Sequence, residues 1–301
     1  MRTTIPAWRI TLAFATVYLV WGSTYLAIRY AIGSIPPFLM AGIRFVVAGG
    51  ALYLWARLRG VPRPTRPEWR SAAVSGVLML VCGNGAVVWA EQHVASGLTA
   101  LLAALVPAWT VVAEWVLPGG RAPGRLTTVG LVAGLGGMAL LAGTGPATGG
   151  SGPVAAVVLA IASLTWALGS IYQHRGAPRP ASSPMATGIQ MLAGGVGLLV
   201  LFAVMPGAWR FDPAAVTGRS VLALCYLIVF GSIITYSAFV WLLQVTTPAK
   251  LSTYAYVNPV VALGLGWAIA GEALDARSIG ASVLIVAAVA TITWDQSRQV
   301  I

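Results

Sequence analysis

Apolar residues along this chain do not alternate with polar ones at the period of a strand or of a half-buried surface helix. They run in blocks of about 20, the length that spans a bilayer as a helix. Ten such blocks are predicted, at 10–32, 36–57, 71–91, 97–117, 126–143, 153–173, 184–205, 220–244, 250–270 and 278–294. Short breaks carrying Pro, Gly and Arg separate them, such as "RLRGVPRPTRPEWR" and "LPGGRAPGR". The blocks are too long and too uniformly apolar for barrel strands. The first is also too long for a cleaved leader and has no small-residue cleavage site after it. The expected fold class is an all-α integral membrane protein with ten transmembrane helices.

Composition agrees. Of 301 residues, 58% are hydrophobic and 8% charged, against about a quarter charged in soluble domains. That leaves too little polar surface to wrap a water-soluble globule, so the lipid bilayer is the expected main partner. Net charge is +11, but the basic residues lie in excess on one side. With a cytoplasmic N-terminus, Arg2, Arg9, Arg57, Arg59, Arg63, Arg66, Arg70, Arg121, Arg125, Arg175, Arg179, Lys250 and Arg298 fall inside. Arg29, Arg210, Arg219 and Arg277 fall outside. This positive-inside bias predicts both termini in the cytoplasm. Aromatic residues do not interleave with the basic ones, which excludes a nucleic-acid surface. Cys82 and Cys225, both within spans, read as small buried apolar residues. No cofactor motif, metal spacing or catalytic cluster is present, so an enzyme is not expected.

The chain repeats itself. "WAEQHVASGLTALLAALVPAWTVVAEWVLPGG" (89–120) aligns without a gap on "WLLQVTTPAKLSTYAYVNPVVALGLGWAIAGE" (241–272), matching Trp89 to Trp241, Gln92 to Gln244, Pro107 to Pro259 and Gly119 to Gly271. "AGIRFVVAGG" (41–50) resembles "TGIQMLAGG" (187–195), and "WGSTY" (21–25) faintly resembles "LGSIY" (168–172). The predicted units are 1–143 and 153–301, joined by a Gly-rich linker at 144–152. Five spans per unit is an odd number, so the second unit must enter the membrane the opposite way. A 5+5 inverted-topology repeat is a signature of secondary transporters, with a site near the midplane between the halves.

"YLVWGSTYLAIRYAI" in the first span, "RF" in the second, "AEQ" closing the third, Pro107, Pro259 and the following Gly271–Glu272 together resemble the drug/metabolite transporter superfamily, specifically its EamA-type members. The first-half copy departs at Gly119–Gly120, where Gly-Glu is usual. The resemblance implies export of small metabolites across the cell (inner) membrane, often amino acids or their relatives and sometimes drugs. The small proton carriers of that superfamily use a Glu in the first helix, and no acid occurs between Met1 and Gly60.

Arg44 is the one cation in the body of a span. A charge there costs at least ~2.5–3.5 kcal/mol unless paired or wetted, and Arg44 lies ~12 Å deep at 1.5 Å per residue from Pro36. Glu91 is the nearby anion by sequence. In the repeat Arg44 becomes Gln190 and Glu91 becomes Leu243, so both charges are lost together. This pattern predicts an Arg44–Glu91 ion pair. Three roles stay open: a tie between two helices, a gate or substrate-carboxylate contact, or a titrating Glu91 that couples protons.

Polar and aromatic residues at helical spacing mark inward faces. The candidate substrate-binding residues are Trp21, Tyr25, Asn84, Trp109, Trp166, Ser170, Tyr236, Tyr254 and Asn258, with plain helix packing as the rival reading. Pro107 and Pro259 are expected as matched mid-helix kinks. Trp8, Trp55, Trp69, Trp115, Trp209 and Trp294 read as interfacial belts. Gly130 with Gly134, and Gly49/Gly50 with Gly194/Gly195, read as close-packing faces. The expected substrate is a neutral or zwitterionic small molecule with an apolar part, exported by alternating access. A lipophilic cation held by cation–π contact and an uncoupled channel-like facilitator are the alternatives. With both halves in one chain, a monomer can hold a complete site.

Overall fold

The computed structural model describes residues 6–93, 99–100, 103–118, 120, 122–142, 152–270 and 276–298. Among the described residues the chain is helical, without a strand. The long helices are α1 (Ala7–Ala31), α2 (Pro37–Leu58), α3 (Arg66–Ala90), α4 (Val106–Val116), α5 (Arg125–Ala142), α6 (Gly152–His174), α7 (Ser183–Val204), α8 (Gly218–Val245), α9 (Tyr254–Ala270) and α10 (Ala276–Arg298). Six of them are long and apolar enough to cross a membrane: α1, α2, α3, α6 over Val157–His174, α7 and α8. Gly152, assigned to the linker from sequence, opens α6; the rest of that linker, Gly119 and Gly271–Glu272 lie outside the described residues.

Local chemistry sets the helix starts. Thr65 and Glu68 form a capping box at α3, and Ser182 and Thr217 accept from the backbone N–H three residues on at α7 and α8. These hydroxyls take up donors that a helix start leaves unpaired. The chain turns after α2 and α6 through Gly60 and Gly176, at φ of 80° and 95°, a region other residues rarely adopt.

Two features were not expected. α3 and α8 each change hydrogen-bond register midway, running as π-helix over Val77–Asn84 and Leu227–Ile234. Such stretches insert extra residues into a turn and recur at functional sites. In addition, the blocks at 97–117 and 250–270 are not single helices. The first breaks to a turn at 104–105 before α4, and the second breaks at Thr253, between a short helix Pro248–Ser252 and α9. Pro107 therefore occupies the first turn of α4, where its missing N–H leaves no bond unmade, while Pro259 lies inside α9. The matched pair of mid-helix kinks is not formed.

The packing repeats with the halves exchanged. α2 lies along α7 and α5 along α10. α1 packs on α8 and α9, and α6 packs on α3 and α4. Small residues permit the closest crossings. A Cβ on Gly49 would lie 2.8 Å from the Gly188 carbonyl, and one on Gly195 2.8 Å from the Val46 nitrogen. Gly130 meets Ala288 and Ile292 of α10, and Gly134 meets the Tyr256 ring. Trp8, Trp55, Trp69, Trp115 and Trp294 are exposed, as interfacial residues would be. Cys82 and Cys225 are also exposed rather than buried, on faces of α3 and α8 that the core does not use.

Gly188→Val places its side chain against the α2 backbone, where a Cβ is already 2.9 Å from the Tyr53 nitrogen. It is expected to destabilise the detergent-solubilised protein by about 1–3 kcal/mol, as overpacking does. Gly50→Ala, with nothing within 4 Å, is expected to leave the thermal unfolding midpoint unchanged or slightly raised.

Candidate functional site

α1, α2, α3, α4, α6, α8 and α9 surround a central cavity of about 700 Å³ of empty space, counted out to its mouth. Its wall carries eight residues singled out from the sequence: Trp21, Tyr25, Arg44, Asn84, Trp166, Tyr236, Tyr254 and Asn258.

Five rings form one end of it. Trp21 packs edge-on against Trp166 (centroids 5.6 Å apart, 82°) and Tyr254 (4.9 Å, 72°). Phe239 touches Trp21 at 5.1 Å and Tyr254 at 5.7 Å, and Tyr236 closes the group. Edge-to-face pairs of this kind add about 0.5–1.5 kcal/mol each beyond burial. Beyond the rings lies a second, smaller cavity of about 180 Å³, lined by Phe239, Leu243 and Leu251, with Trp166 and Tyr254 shared between the two. The rings are thus a partition one side chain thick.

Arg44 is 3% exposed. Its Nε donates to Ser232 Oγ at 2.7 Å, and its guanidinium lies over the Phe45 ring at 4.8 Å. Gly231 makes the room, since a Cβ there would be 2.9 Å from Nη2. Trp21 Nε1 donates to the Gly231 carbonyl at 3.0 Å. Arg44 Nη1 is buried without a hydrogen-bond partner, and so is Asn84 Oδ1. A buried donor and a buried acceptor left open on one cavity wall each cost about 1–3 kcal/mol.

The predicted Arg44–Glu91 ion pair is absent. Both carboxylate oxygens of Glu91 lack a hydrogen bond. The cation whose charge acts on Glu91 is Arg29, four residues beyond Tyr25 on α1. The reason is position along α3: Val87 is on the cavity wall, and Glu91, one turn further on, has passed it. Two other candidates also miss the cavity. Ser170 lines the smaller cavity and returns its hydroxyl to the Trp166 carbonyl at 2.9 Å. Trp109 is off the central wall, because Val106 and Thr110 take the inward stripe of α4. Asn258 is partly structural. Oriented to suit its surroundings, its amide nitrogen donates to the backbone carbonyls of Tyr18 (3.0 Å) and Tyr254 (3.1 Å), tying α1 to α9. Trp166 Nε1 is buried without a hydrogen-bond partner.

Thr24, Phe45, Gly83 and Ser163 also line the cavity, among apolar residues such as Ile28 and Leu80. Thr24 follows Trp21 by three and Ser163 precedes Trp166 by three, a spacing that could have marked both. Gly83 carries no such signal; a Cβ there would meet the Trp166 ring at 2.9 Å. Among the described residues no group of side chains is arranged to hold a metal ion.

The EamA-like transporter family matches the chain twice, over residues 8–143 and 153–294. The chain belongs to the EamA-like transporter family. Its members are transporters and not enzymes, and the family unit is present in two copies, as the internal repeat implied. The inner membrane transporter YedA of Escherichia coli K12, itself described as uncharacterized, is 39% identical over 93% of this chain and 89% of its own. The uncharacterized transporter YvbV of Bacillus subtilis is 24% identical over 98% and 95%. A crystal structure at 22% identity shares the fold, with a TM-score of 0.74 over 96% of this chain and 98% of that one.

Double-mutant cycles on unfolding in detergent separate the observed contact from the expected one. Arg44→Met with Ser232→Ala should show coupling above about 1 kcal/mol, as for a hydrogen bond to a charged group. Arg44→Met with Glu91→Gln should add within about 0.5 kcal/mol.

Proposed function

We propose that this chain is a secondary transporter of the inner membrane that exports small metabolites, neutral or aromatic amino acids or close relatives, by alternating access. In this reading ten membrane helices form two five-helix units, 1–143 and 153–301, of opposite orientation. Both termini are cytoplasmic. The exchanged contacts of the two halves and the odd number of spans per unit support the inverted arrangement. The name of the relative YedA supports the membrane assigned.

One observation carries the substrate class: the cavity combines an aromatic wall with a free guanidinium nitrogen and a free amide oxygen. Arg44 Nη1 suits a carboxylate, through a charge-assisted hydrogen bond. Asn84 Oδ1 suits an ammonium or other donor, and the rings of Trp21, Trp166 and Tyr254 suit an apolar side chain. The same rings could hold a lipophilic cation, but the Arg44 charge in the wall works against one. The ring partition closing one end fits a carrier that opens one side at a time better than a continuous channel.

The test is exchange in proteoliposomes loaded with a panel of neutral and aromatic L-amino acids, and separately with a lipophilic cation, with and without a pH gradient. Saturable amino-acid exchange is expected, strongly reduced in Trp166→Ala and Tyr254→Ala. Arg44→Met should raise the half-saturating concentration by about tenfold or more, the equivalent of 1.4 kcal/mol. Movement of the cation alone, or flux that does not saturate, overturns the reading.

A further inference from the structure

A second polar pocket, of about 380 Å³, lies at the end of the bundle where α3 and α7 begin and α6 and α8 finish. Ser71, Ser75, Gln173, Gln190 and Gln244 line it, and Glu68 and Arg179 are also on its wall. The two charged groups are already engaged. Glu68 Oε2 accepts from the Thr65 backbone N–H (2.6 Å), and Arg179 Nη1 donates to the Gln173 carbonyl (3.1 Å). Arg179 is exposed and keeps its charge and its other N–H donors, while the buried groups of the pocket are the Gln190 amide and the Ser71 and Ser75 hydroxyls.

Three helices run from this pocket to the central cavity, and one layer separates the two. Along α3 the order is Ser75 in the pocket, Met79 between and Gly83 in the cavity. Along α6 it is Gln173, Gly169 and Trp166, and along α8 it is Val240 and then Tyr236. Met79 is fully buried in that layer and seats against Gly169, where a Cβ would be 2.5 Å from its Cγ. Its sulfur receives Gln173 Nε2 at 3.1 Å and Gln190 Nε2 at 3.4 Å, with the Tyr236 hydroxyl at 4.0 Å. A thioether is a weak acceptor, so two amide donors rest on a partner that a carboxylate would displace.

The repeat adds an independent observation. Gln190 aligns with Arg44, and each reaches the π-helical stretch of the other half: Arg44 meets Ser232 in α8, and Gln190 meets Met79 in α3. Resting on the transporter reading above, we propose that the amide pocket is a second station for the same solute. Gln190 and Gln173 receive its carboxylate there, and Met79 is the gate between the two stations. Inside the bundle the carboxylate meets a guanidinium at one station and neutral amides at the other, so it is held less tightly at the second, where the donors carry no positive charge of their own.

The experiment compares wild type, Gln190→Leu, Gln190→Glu and Met79→Ala. Each is read by calorimetric binding of the amino-acid panel in detergent, by exchange in proteoliposomes and by thermal unfolding. Gln190→Leu should bind within about twofold of wild type yet exchange about tenfold more slowly, since one charge-assisted partner is lost at one station only. Gln190→Glu, closer in shape but repelling a carboxylate, should be slower than Gln190→Leu while melting near wild type. Met79→Ala should raise net efflux without a counter-solute. Wild-type rates in Gln190→Leu overturn the proposal, as does Gln190→Glu exchanging faster than Gln190→Leu, or binding and melting falling together with the rate. A wild-type protein that neither binds nor exchanges any of the panel fails the reading beneath it, and the proposal falls with it.

Discussion

A guanidinium inside an apolar bundle has to be received by something other than water, and much of the central architecture follows from how Arg44 is received. Its stem is carried by α2, its Nε is taken by Ser232, and its plane is covered by Phe45. The space it fills exists only because residue 231 is glycine. The carbonyl of that same glycine accepts from Trp21 of α1. Three helices from both halves of the chain therefore meet at Gly231–Ser232, and the aromatic wall is registered to that point through Trp21. A side chain costing at least ~2.5–3.5 kcal/mol to bury is retained with one nitrogen still open on the cavity. Structure alone would be served more cheaply by an apolar residue, so the open nitrogen is the part of Arg44 that speaks for recognition.

The π-helical stretches make this arrangement possible. Both run for eight residues near the middle of a long helix, one in each half. They contain residues that meet across the repeat, Met79 in α3 and Gly231 and Ser232 in α8, and Asn84 on the cavity wall. A π turn widens the helix and changes which side chains share a face. It also leaves a register that can relax to α-helix without breaking the chain, which suits the alternating access proposed above.

The sequence made the rare residues legible and the ordinary ones not. Trp21, Trp166, Tyr236, Tyr254 and Arg44 stand out because apolar spans seldom carry them, and all five reach the cavity. Phe239, Gly83 and Gly231 are as essential to its shape but look like any other apolar or small residue. The helix breaks at 104–105 and Thr253 carry no Pro or Gly at the break itself, so the blocks read as continuous. The Arg44–Glu91 pair failed for a more instructive reason. Two charges lost together in the repeat were taken as partners, yet each loss answers to a different neighbour. Gln190 has Met79, and Leu243 faces the smaller apolar cavity, where a carboxylate would have no company. Glu91 answers to Arg29. Joint loss in a repeat marks a shared environment, and contact is only one form of that.

The two halves are similar in backbone and unequal in chemistry, and the inequality follows one direction. On the side of the central cavity stand a guanidinium, an open amide oxygen and room for a solute. On the side of the amide pocket stand neutral donors, a thioether and a second, collapsed apolar cavity behind the rings. Two stations of equal affinity would let a solute dwell equally at both ends. Unequal ones fix where a bound solute rests, while the gradient sets the direction of net movement. In a fold built from two related units, such a bias can arise at matched positions, because the scaffold supplies corresponding places in both. Arg44 against Gln190 is the clearest of these, since the two residues occupy matching places, reach matching helices, and differ in charge.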